Sequence, residues 1–570
     1  MRSLREWRVI AALAIAIGCA LGIVVPVVIA SADSGTDGDT AGPILPMVEC
    51  ADLVPDRNGR PAPGVADFAA DPVAPTRVTS AFTVPATMNA PAHCVVHGTV
   101  TPEIGFRLEL PATTWRGRYL QYGCGGFCGQ ITDPAFPACG PALGGDFAVA
   151  STDDGHTGKK APFADLDGEW AHDQAARDAF NYRAPHLVAA AAKALITAYY
   201  GRPPATSYFS GCSDGGREGL LLAQRYPDDF DGVIAGAPAA YWGPLVGEFQ
   251  AWIGTVNADA AGKAVLTREK LPALHAAVLD SCDDADGLRD GIIDDPRACR
   301  FDPSTLRCPQ GTDSADCLTE AQVGVVRKLY TGPTTDRGVR LYPGGEQYGS
   351  ELAWTYWIVP GPEFPDATAA NLFAGNYLQH MAFPLGTPHS AIADWTFDMP
   401  GFWRLLPEHL PASAMSLDLT AFRDRGGKLI LWHGWADPAI PATGTLDYYR
   451  RLTDAMGGIA EASRWTRLFM VPGMYHCTGG YGPHQFDAVA DIVAWVENDA
   501  APERIVVGQP DGSGGVTRTR PVFPYPAVAR YTGSGSVDDA ANFVAAPPAA
   551  PRDDRVAWAG DWLHALPTPS

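Results

Sequence analysis

The 570-residue chain is short of positive charge: 42 Lys and Arg stand against 64 Asp and Glu, a formal net charge of -22 at pH 7. Such a surface repels phosphate backbones and anionic lipids, which excludes nucleic acid as an expected partner. Zinc-type ligand spacing is also missing. There is no C-x-x-C pair and no His cluster, and Cys124 and Cys128, four apart, have no second pair to answer them. Beyond residue 29 no uninterrupted apolar run approaches the roughly 20 residues of a membrane-spanning helix. No internal repeat is visible, and with 46% hydrophobic and only 19% charged residues the composition excludes wholesale disorder. One large or two unequal domains are expected.

What is present begins with a leader. Arg2, Arg5 and Arg8 precede an apolar run over residues 9–29, and Ala30-Ser31-Ala32 supplies small residues for cleavage before Asp33. Residues 1–32 read as a signal peptide. A retained anchor competes, because the run approaches a bilayer span, but Pro26 and the A-x-A pattern favour cleavage and secretion. Acylation at Cys19 is disfavoured by its lead-in, Ala16-Ile17-Gly18, and by the apolar chain that follows. Of twelve cysteines eleven follow the leader, which fits an oxidising compartment and leaves at least one thiol unpaired.

Residues 33–48 open on an Asp, Gly, Ser and Thr rich stretch and read as a disordered linker, with the folded part beginning near Cys50. Short apolar runs at 119–122, 147–151, 208–210 and 232–235 each lead into a Gly-rich or polar turn, as buried parallel strands do. Helical stretches at 184–199 and 216–225 lie between them, and this alternation is the signature of a doubly wound α/β sheet. It lapses after Pro244 and resumes at 428–432 and 467–471. The expected organisation is a core over residues 49–244, a lid inserted over 245–415, and the rest of the core with its tail over 416–570. A tandem domain is the alternative, but the strands that complete the sheet lie beyond the insertion.

Gly211-Cys212-Ser213-Asp214-Gly215 matches G-x-S-x-G in the context the motif requires, a strand before it and a helix after it. A serine hydroxyl needs a base within reach and a carboxylate to hold that base's tautomer. The strand at 428–432 runs into His433-Gly434-Trp435-Ala436-Asp437, and the strand at 467–471 into Pro472-Gly473-Met474-Tyr475-His476, so Asp437 and His476 stand in strand-end loops as candidate acid and base. His433 is the strongest competitor as base. Cys212 immediately precedes the candidate nucleophile and Cys477 immediately follows the candidate base, so a bond between them would tie the two loops together. Two buried free thiols are the other reading. For an oxyanion hole the backbone N–H of Asp214 is one expected donor, and Gly123-Cys124-Gly125-Gly126 is a source for the second, for which we take Gly125.

At these residues the chain resembles the tannase and feruloyl esterase family. The resemblance spans nearly all of the chain after the leader and rests on Trp115-Arg116-Gly117-Arg118, on Ala150-Ser151-Thr152-Asp153-Asp154-Gly155-His156, on Gly211 to Gly216, on His433 to Asp437 and on His476-Cys477. It implies an α/β-hydrolase fold with a lid, a disulfide joining the triad loops, and hydrolysis of esters, commonly of hydroxylated or methoxylated aromatic acids. In the tail, Phe523 and Ala545 stand where the family commonly has two cysteines, so packing is expected to hold the tail in place of a disulfide. Cys128 with Cys139 is the expected bridge beside the oxyanion loop, leaving Cys124 near the active site. Cys50 with Cys94, Cys282 with Cys299 and Cys308 with Cys317 complete the expected set.

The acidic stretch from Cys282 to Ile292 alternates carboxylates with positions whose carbonyls can turn inward. Calcium takes six to eight oxygens, and three carboxylates plus main-chain oxygens suit it, although the spacing is not that of an EF-hand. The resemblance implies a calcium ion in the lid held by Asp283, Asp286 and Asp290 with the carbonyls of Leu288 and Ile292; an acidic solvated turn is the plain alternative. Trp354, Trp357, Phe373, Phe397 and Trp403 are candidate aromatic walls for a small-molecule substrate. The expected activity is ester hydrolysis by acyl transfer. A non-catalytic binding protein and a peptidase are the other classes considered; the intact triad argues against the first, and the Cys-Ser and His-Cys pairing points from amides to esters.

Overall fold

The computed structural model describes residues 42–87, 90–131, 145–159, 164–365, 367–548 and 553–566. The proposed leader and Cys139 lie outside them. Nine strands form one mixed sheet: β1 (Thr76–Val84), β2 (His93–Val100), β3 (Ile104–Pro111), β4 (Arg118–Tyr122), β5 (Phe147–Thr152), β6 (Thr206–Cys212), β7 (Gly232–Gly236), β8 (Lys428–Gly434) and β9 (Thr466–Val471). Their order is β1-β2-β3-β5-β4-β6-β7-β8-β9. Pairing is antiparallel from β1 through β3 to β5 and parallel from β5 onward to β9. The six runs expected as parallel strands are β4 to β9. The three antiparallel strands at the edge add to that expectation, and their signal was an alternation, as in Ile104, Phe106, Leu108 and Leu110, all buried.

The parallel strands are buried on both faces because helices cover both. Alternate residues point to opposite cores: Tyr119, Phe209, Val233 and Leu431 belong to one, and Leu120, Tyr208, Ile234 and Ile430 to the other. Helices α1 (Ala184–Tyr200), α2 (Asp214–Arg225) and α3 (Ala442–Ala455) pack in the first core, and α4 (Ala488–Asn498) covers the second. Between β7 and β8 the chain adds no strand to the sheet; it forms short helices, among them Leu271–Cys282, Glu320–Thr331 and Met399–Ala412. This is an α/β-hydrolase fold. β4 lies between β5 and β6, so the loops after β4 and β6 leave in opposite directions across a crevice, the place where open α/β sheets bind ligands.

The chain is tied to the fold ahead of Cys50, since the Ile44 N–H donates to the Trp115 carbonyl at 2.8 Å and the Met47 N–H to that of Tyr199 at 2.7 Å. At the other end β12 (Val528–Tyr531) pairs with β13 (Phe543–Ala546), and the Arg520 guanidinium lies 4.0 Å over the Phe543 ring. The tail thus packs without a disulfide at Phe523 and Ala545. Among the described residues five bridges are present: Cys50–Cys94, Cys124–Cys128, Cys212–Cys477, Cys282–Cys299 and Cys308–Cys317. The expected Cys128–Cys139 pairing is corrected: Cys128 bonds Cys124, which is therefore not left over. A turn inside the Gly-Gly loop brings the two sulfurs together, a local conformation that spacing alone did not reveal.

Across the sheet, Glu497 at the end of α4 accepts two hydrogen bonds from the Arg118 guanidinium, at 2.8 and 2.6 Å, one from the Tyr208 hydroxyl at 2.7 Å and one from Thr206 at 3.1 Å. All of these partners sit at the start of β4 and β6. Replacing Glu497 by Ala removes a charged acceptor and strands its donors, so urea unfolding should show a loss of about 2 to 4 kcal/mol. A midpoint unchanged from that of the native chain would show that the cluster does not hold α4 to the sheet.

Candidate active site

β6 ends at Cys212 and α2 begins at Asp214, which leaves Ser213 alone to make the turn. Its backbone sits at φ 65° and ψ -119°, a left-handed conformation that costs a non-glycine residue on the order of 1 to 3 kcal/mol. Neighbouring backbone must close in tightly for this turn. A methyl group at Gly211 would lie 2.5 Å from the carbonyl carbon and oxygen of Gly215, so only glycine fits there. The Ser213 N–H donates to the Gly236 carbonyl at 3.0 Å, which pins the turn to the end of β7.

The three candidate residues converge. His476 Nε2 lies 2.9 Å from Ser213 Oγ, and His476 Nδ1 lies 2.7 Å from Asp437 Oδ2. The other oxygen of Asp437 accepts the N–H groups of Ala439 and Ile440 at 2.8 and 2.9 Å, which fixes the carboxylate's plane. Asp437 is buried; burial would push its pKa up, but His476 and His433 hold it well below the usual carboxylate range. The competitor His433 is turned to other work: Nδ1 lies 2.8 Å from the Thr445 hydroxyl and Nε2 2.9 Å from the Ile440 carbonyl, with Asp437 at 3.3 Å. The Cys212–Cys477 bond joins the residues flanking Ser213 and His476, with a Cα–Cα distance of 5.9 Å.

Under the turn lies a charged floor that the sequence reading did not foresee. Arg217, one helical turn into α2, grips both oxygens of Asp214 at 2.6 and 3.0 Å, and both side chains are buried. The same guanidinium donates to the carbonyls of Phe180, Asn181 and Ala412, so all its donors face the interior. Removing one member of such a pair costs about 3 to 5 kcal/mol because the other is left charged and alone. Beside it lie Asp154 and Glu218. Burial, reinforced at Asp154 by the charge of Asp214 and at Glu218 by that of Asp154, pushes the pKa of both carboxyls well above the usual range. Ligand-type atoms of Cys124, Cys128, Asp154, Asp214 and Glu218 lie within 4.8 Å of one another, a buried group with the composition to hold a metal ion; the two sulfurs, however, are bonded to each other.

Of the candidate aromatic walls, two stand beside the triad. Trp357 meets the His476 ring edge-on at 5.7 Å, and Phe373 stacks on Trp357 at 6.0 Å and meets Phe127 of the glycine-rich loop at 5.1 Å. Trp354 is buried and donates to the Ser350 hydroxyl at 2.8 Å. Phe397 packs on Trp252, and Trp403 is 47% exposed, so neither faces His476.

The acidic stretch forms one turn. Asp283 accepts backbone N–H groups of Asp290, Gly291 and Ile292, Asp286 accepts that of Leu288, and Asp290 pairs with the Arg520 guanidinium. Asp294 joins them, unforeseen, and burial followed by repulsion from its acidic neighbours raises it to about 7; burial raises Asp286 to about 6.

The match to known proteins follows this geometry. Residues 88–546 match the family described as tannase and feruloyl esterase. The chain belongs to that family. It is 36% identical over 531 residues to the mono(2-hydroxyethyl) terephthalate hydrolase of Piscinibacter sakaiensis, covering 81% of this chain and 87% of that one. It is 31% identical to feruloyl esterase B of Aspergillus niger over 76% of this chain and 83% of that one. The crystal structure of feruloyl esterase B from Aspergillus oryzae superposes with a TM-score of 0.72 at 28% identity, covering 83% of this chain and 97% of the other. The chain is thus a carboxylic ester hydrolase.

The Cys212–Cys477 bond spans 265 positions. For a loop of that length the chain-entropy model gives a contribution on the order of 5 kcal/mol, reduced by residual structure in the unfolded chain. A displacement of about 1 Å at a reacting group costs on the order of a hundredfold in rate. The C212A/C477A variant should therefore melt at a lower temperature and turn esters over far more slowly while it is still folded. Native-like turnover below its melting transition would show that the tether does not position His476.

Proposed function

We propose that this hydrolase is a secreted serine esterase in which Ser213 is the nucleophile, His476 the general base and Asp437 the residue that orients it. The observation that carries the reading is the unbroken relay from Ser213 Oγ through the two nitrogens of one imidazole to a buried carboxylate, at 2.9 and 2.7 Å. In the first step His476 Nε2 takes the hydroxyl proton as Oγ attacks the ester carbonyl. Negative charge develops on the carbonyl oxygen, where the backbone N–H groups of Gly125 and Asp214 would receive it; the latter opens α2, whose N-terminus also favours anionic charge. The protonated imidazole then gives its proton to the leaving alkoxide, and the acyl group stays on Ser213. Water repeats the sequence and releases the acid. Asp437 stays ionised throughout, which suits a carboxylate whose pKa is held low.

The acids expected are aromatic. Trp357 sets an apolar ring beside His476 with Phe373 stacked on it, and a flat acyl group would bury area against them. The names of the relatives, feruloyl esterase and terephthalate hydrolase, agree with such a group. We read residues 245–415, which supply Trp357 and Phe373, as the lid that selects the acid, and residues 1–32 as the leader that exports the chain. Five disulfides suit an extracellular location, and no helix among the described residues is long and apolar enough to cross a membrane.

The acidic turn of the lid fits calcium. Its donors are all oxygens, and the carboxylates of Asp283, Asp286 and Asp290 face one guanidinium, that of Arg520. Asp283, Asp286 and Asp290 with the carbonyls of Leu288 and Ile292 would hold the ion. It would supply structural rigidity to the lid and no chemistry at Ser213.

Two outcomes test these assignments. Against methyl ferulate, methyl gallate and a terephthalate half-ester, Ser213→Ala should lose turnover with its melting curve unchanged. Asp437→Asn should lose on the order of 10³ to 10⁴ in kcat, because the imidazole takes the wrong tautomer, and Asp418→Asn none. Activity retained in the Ser213 variant would overturn the nucleophile. Chelation should lower the melting temperature, and returned calcium should restore it, since an ion bound to the folded state stabilises it by mass action. A melt indifferent to both, with no metal in elemental analysis, would leave the acidic stretch a solvated turn.

A further inference from the structure

The extra cysteines stand at a telling place. Cys124 and Cys128 close a small ring around Gly125, Gly126 and Phe127, and the Cys128 N–H donates to the Gly125 carbonyl at 2.9 Å within it. Every other part of the ring is anchored. The Cys124 carbonyl accepts the Gly215 N–H at 2.8 Å, which joins the ring to the first turn of α2, and the Phe127 N–H donates to the Asp165 carbonyl at 2.6 Å. The sulfurs rest on the charged floor: Cys124 Sγ lies 2.9 Å from Glu218 Oε1, and Cys128 Sγ lies 3.5 Å from Asp214 Oδ2. The Gly125 N–H remains uncommitted. Neither its N–H nor that of Asp214 has an acceptor among the described residues, and a methyl group at Gly125 would meet nothing within 4 Å, so that side of the loop is open.

A loop with two consecutive glycines has unusual backbone freedom, and an N–H that must meet a developing oxyanion needs placement within about 0.5 Å. We propose that the Cys124–Cys128 disulfide is a positioning element for ester hydrolysis: by closing the turn around Gly125 it holds that residue's N–H where the oxyanion forms. This rests on the reading of Ser213 as nucleophile and of Gly125 and Asp214 as donors. Formation and hydrolysis of the acyl-enzyme both pass through an oxyanion, so both steps slow together when the donor is loosened. The effect then falls on kcat and leaves KM in place.

The test compares the native chain with C124A/C128A, using p-nitrophenyl acetate as substrate, phenylboronic acid as an inhibitor that becomes tetrahedral and anionic on the serine, and benzoate as a planar one. The expected result is a kcat lower by roughly 10- to 100-fold with KM within about twofold. Affinity for phenylboronic acid should fall by the same factor and that for benzoate should hold. C124S/C128S, whose hydroxyls can donate to Glu218 and Asp214, should behave likewise and covers the case in which the alanine variant does not fold. A non-reducing digest should show Cys124 and Cys128 linked. An unchanged kcat, a KM and benzoate affinity that move with kcat, a link from either cysteine to Cys139, or failure of both variants to fold would each overturn the proposal. Ser213→Ala assayed alongside separates the two readings: activity in that variant overturns the triad, whereas its inactivity beside a fully active C124A/C128A overturns the ring alone.

Discussion

The sharp turn at Ser213 depends on backbone packing against backbone more closely than any side chain permits. Gly211 lies against the Gly215 carbonyl, the Gly215 N–H donates to Cys124, and the Ser213 N–H donates to Gly236. Three consecutive strand ends, those of β4, β6 and β7, are thereby locked around one residue. The left-handed backbone of Ser213 persists because these contacts over-determine it. Once this junction is made, the start of α2, the glycine-rich loop and the serine hydroxyl have little freedom left.

The remaining members of the site come from β8 and β9, and nothing in that junction holds them. Parallel register places Gly434 opposite Val471, so the loops carrying Asp437 and His476 leave the sheet side by side. The Cys212–Cys477 bond then ties the second of these loops back to the first junction. A covalent link, a hydrogen-bonded imidazole and a buried carboxylate act in series, and each reduces the freedom of the next.

Beneath the turn the interior is charged where an apolar core would be expected. Arg217 with Asp214, and Asp154 with Glu218, fill the space under α2, and burial raises both members of the second pair well above the ordinary carboxylate range. The Arg217 guanidinium there holds the helical stretch at Phe180 and Asn181 and the lid segment at Ala412 through directional contacts, which apolar packing would not specify in the same way.

The sequence alone determined the parallel strands, the turn at Ser213 and the order of the candidate residues Ser213, Asp437 and His476, because each is written in a short stretch: an apolar run, a glycine pair, a strand end. The alternation of β3 is equally local, but the strands expected from the sequence did not include it. Tertiary structure decided the rest. Whether His433 or His476 reaches Ser213 depends on ring directions set by Thr445 and Ile440, and which aromatics stand beside the imidazole depends on how residues far apart in sequence pack. Asp294 and Arg520 join the acidic turn for the same reason, one from beyond its end and one from β11 (Val516–Val522). Cys124 bonds Cys128 because a turn folds the loop back on itself, and the conformation of five residues held between a strand end and a buried Arg–Asp pair is set by what surrounds them.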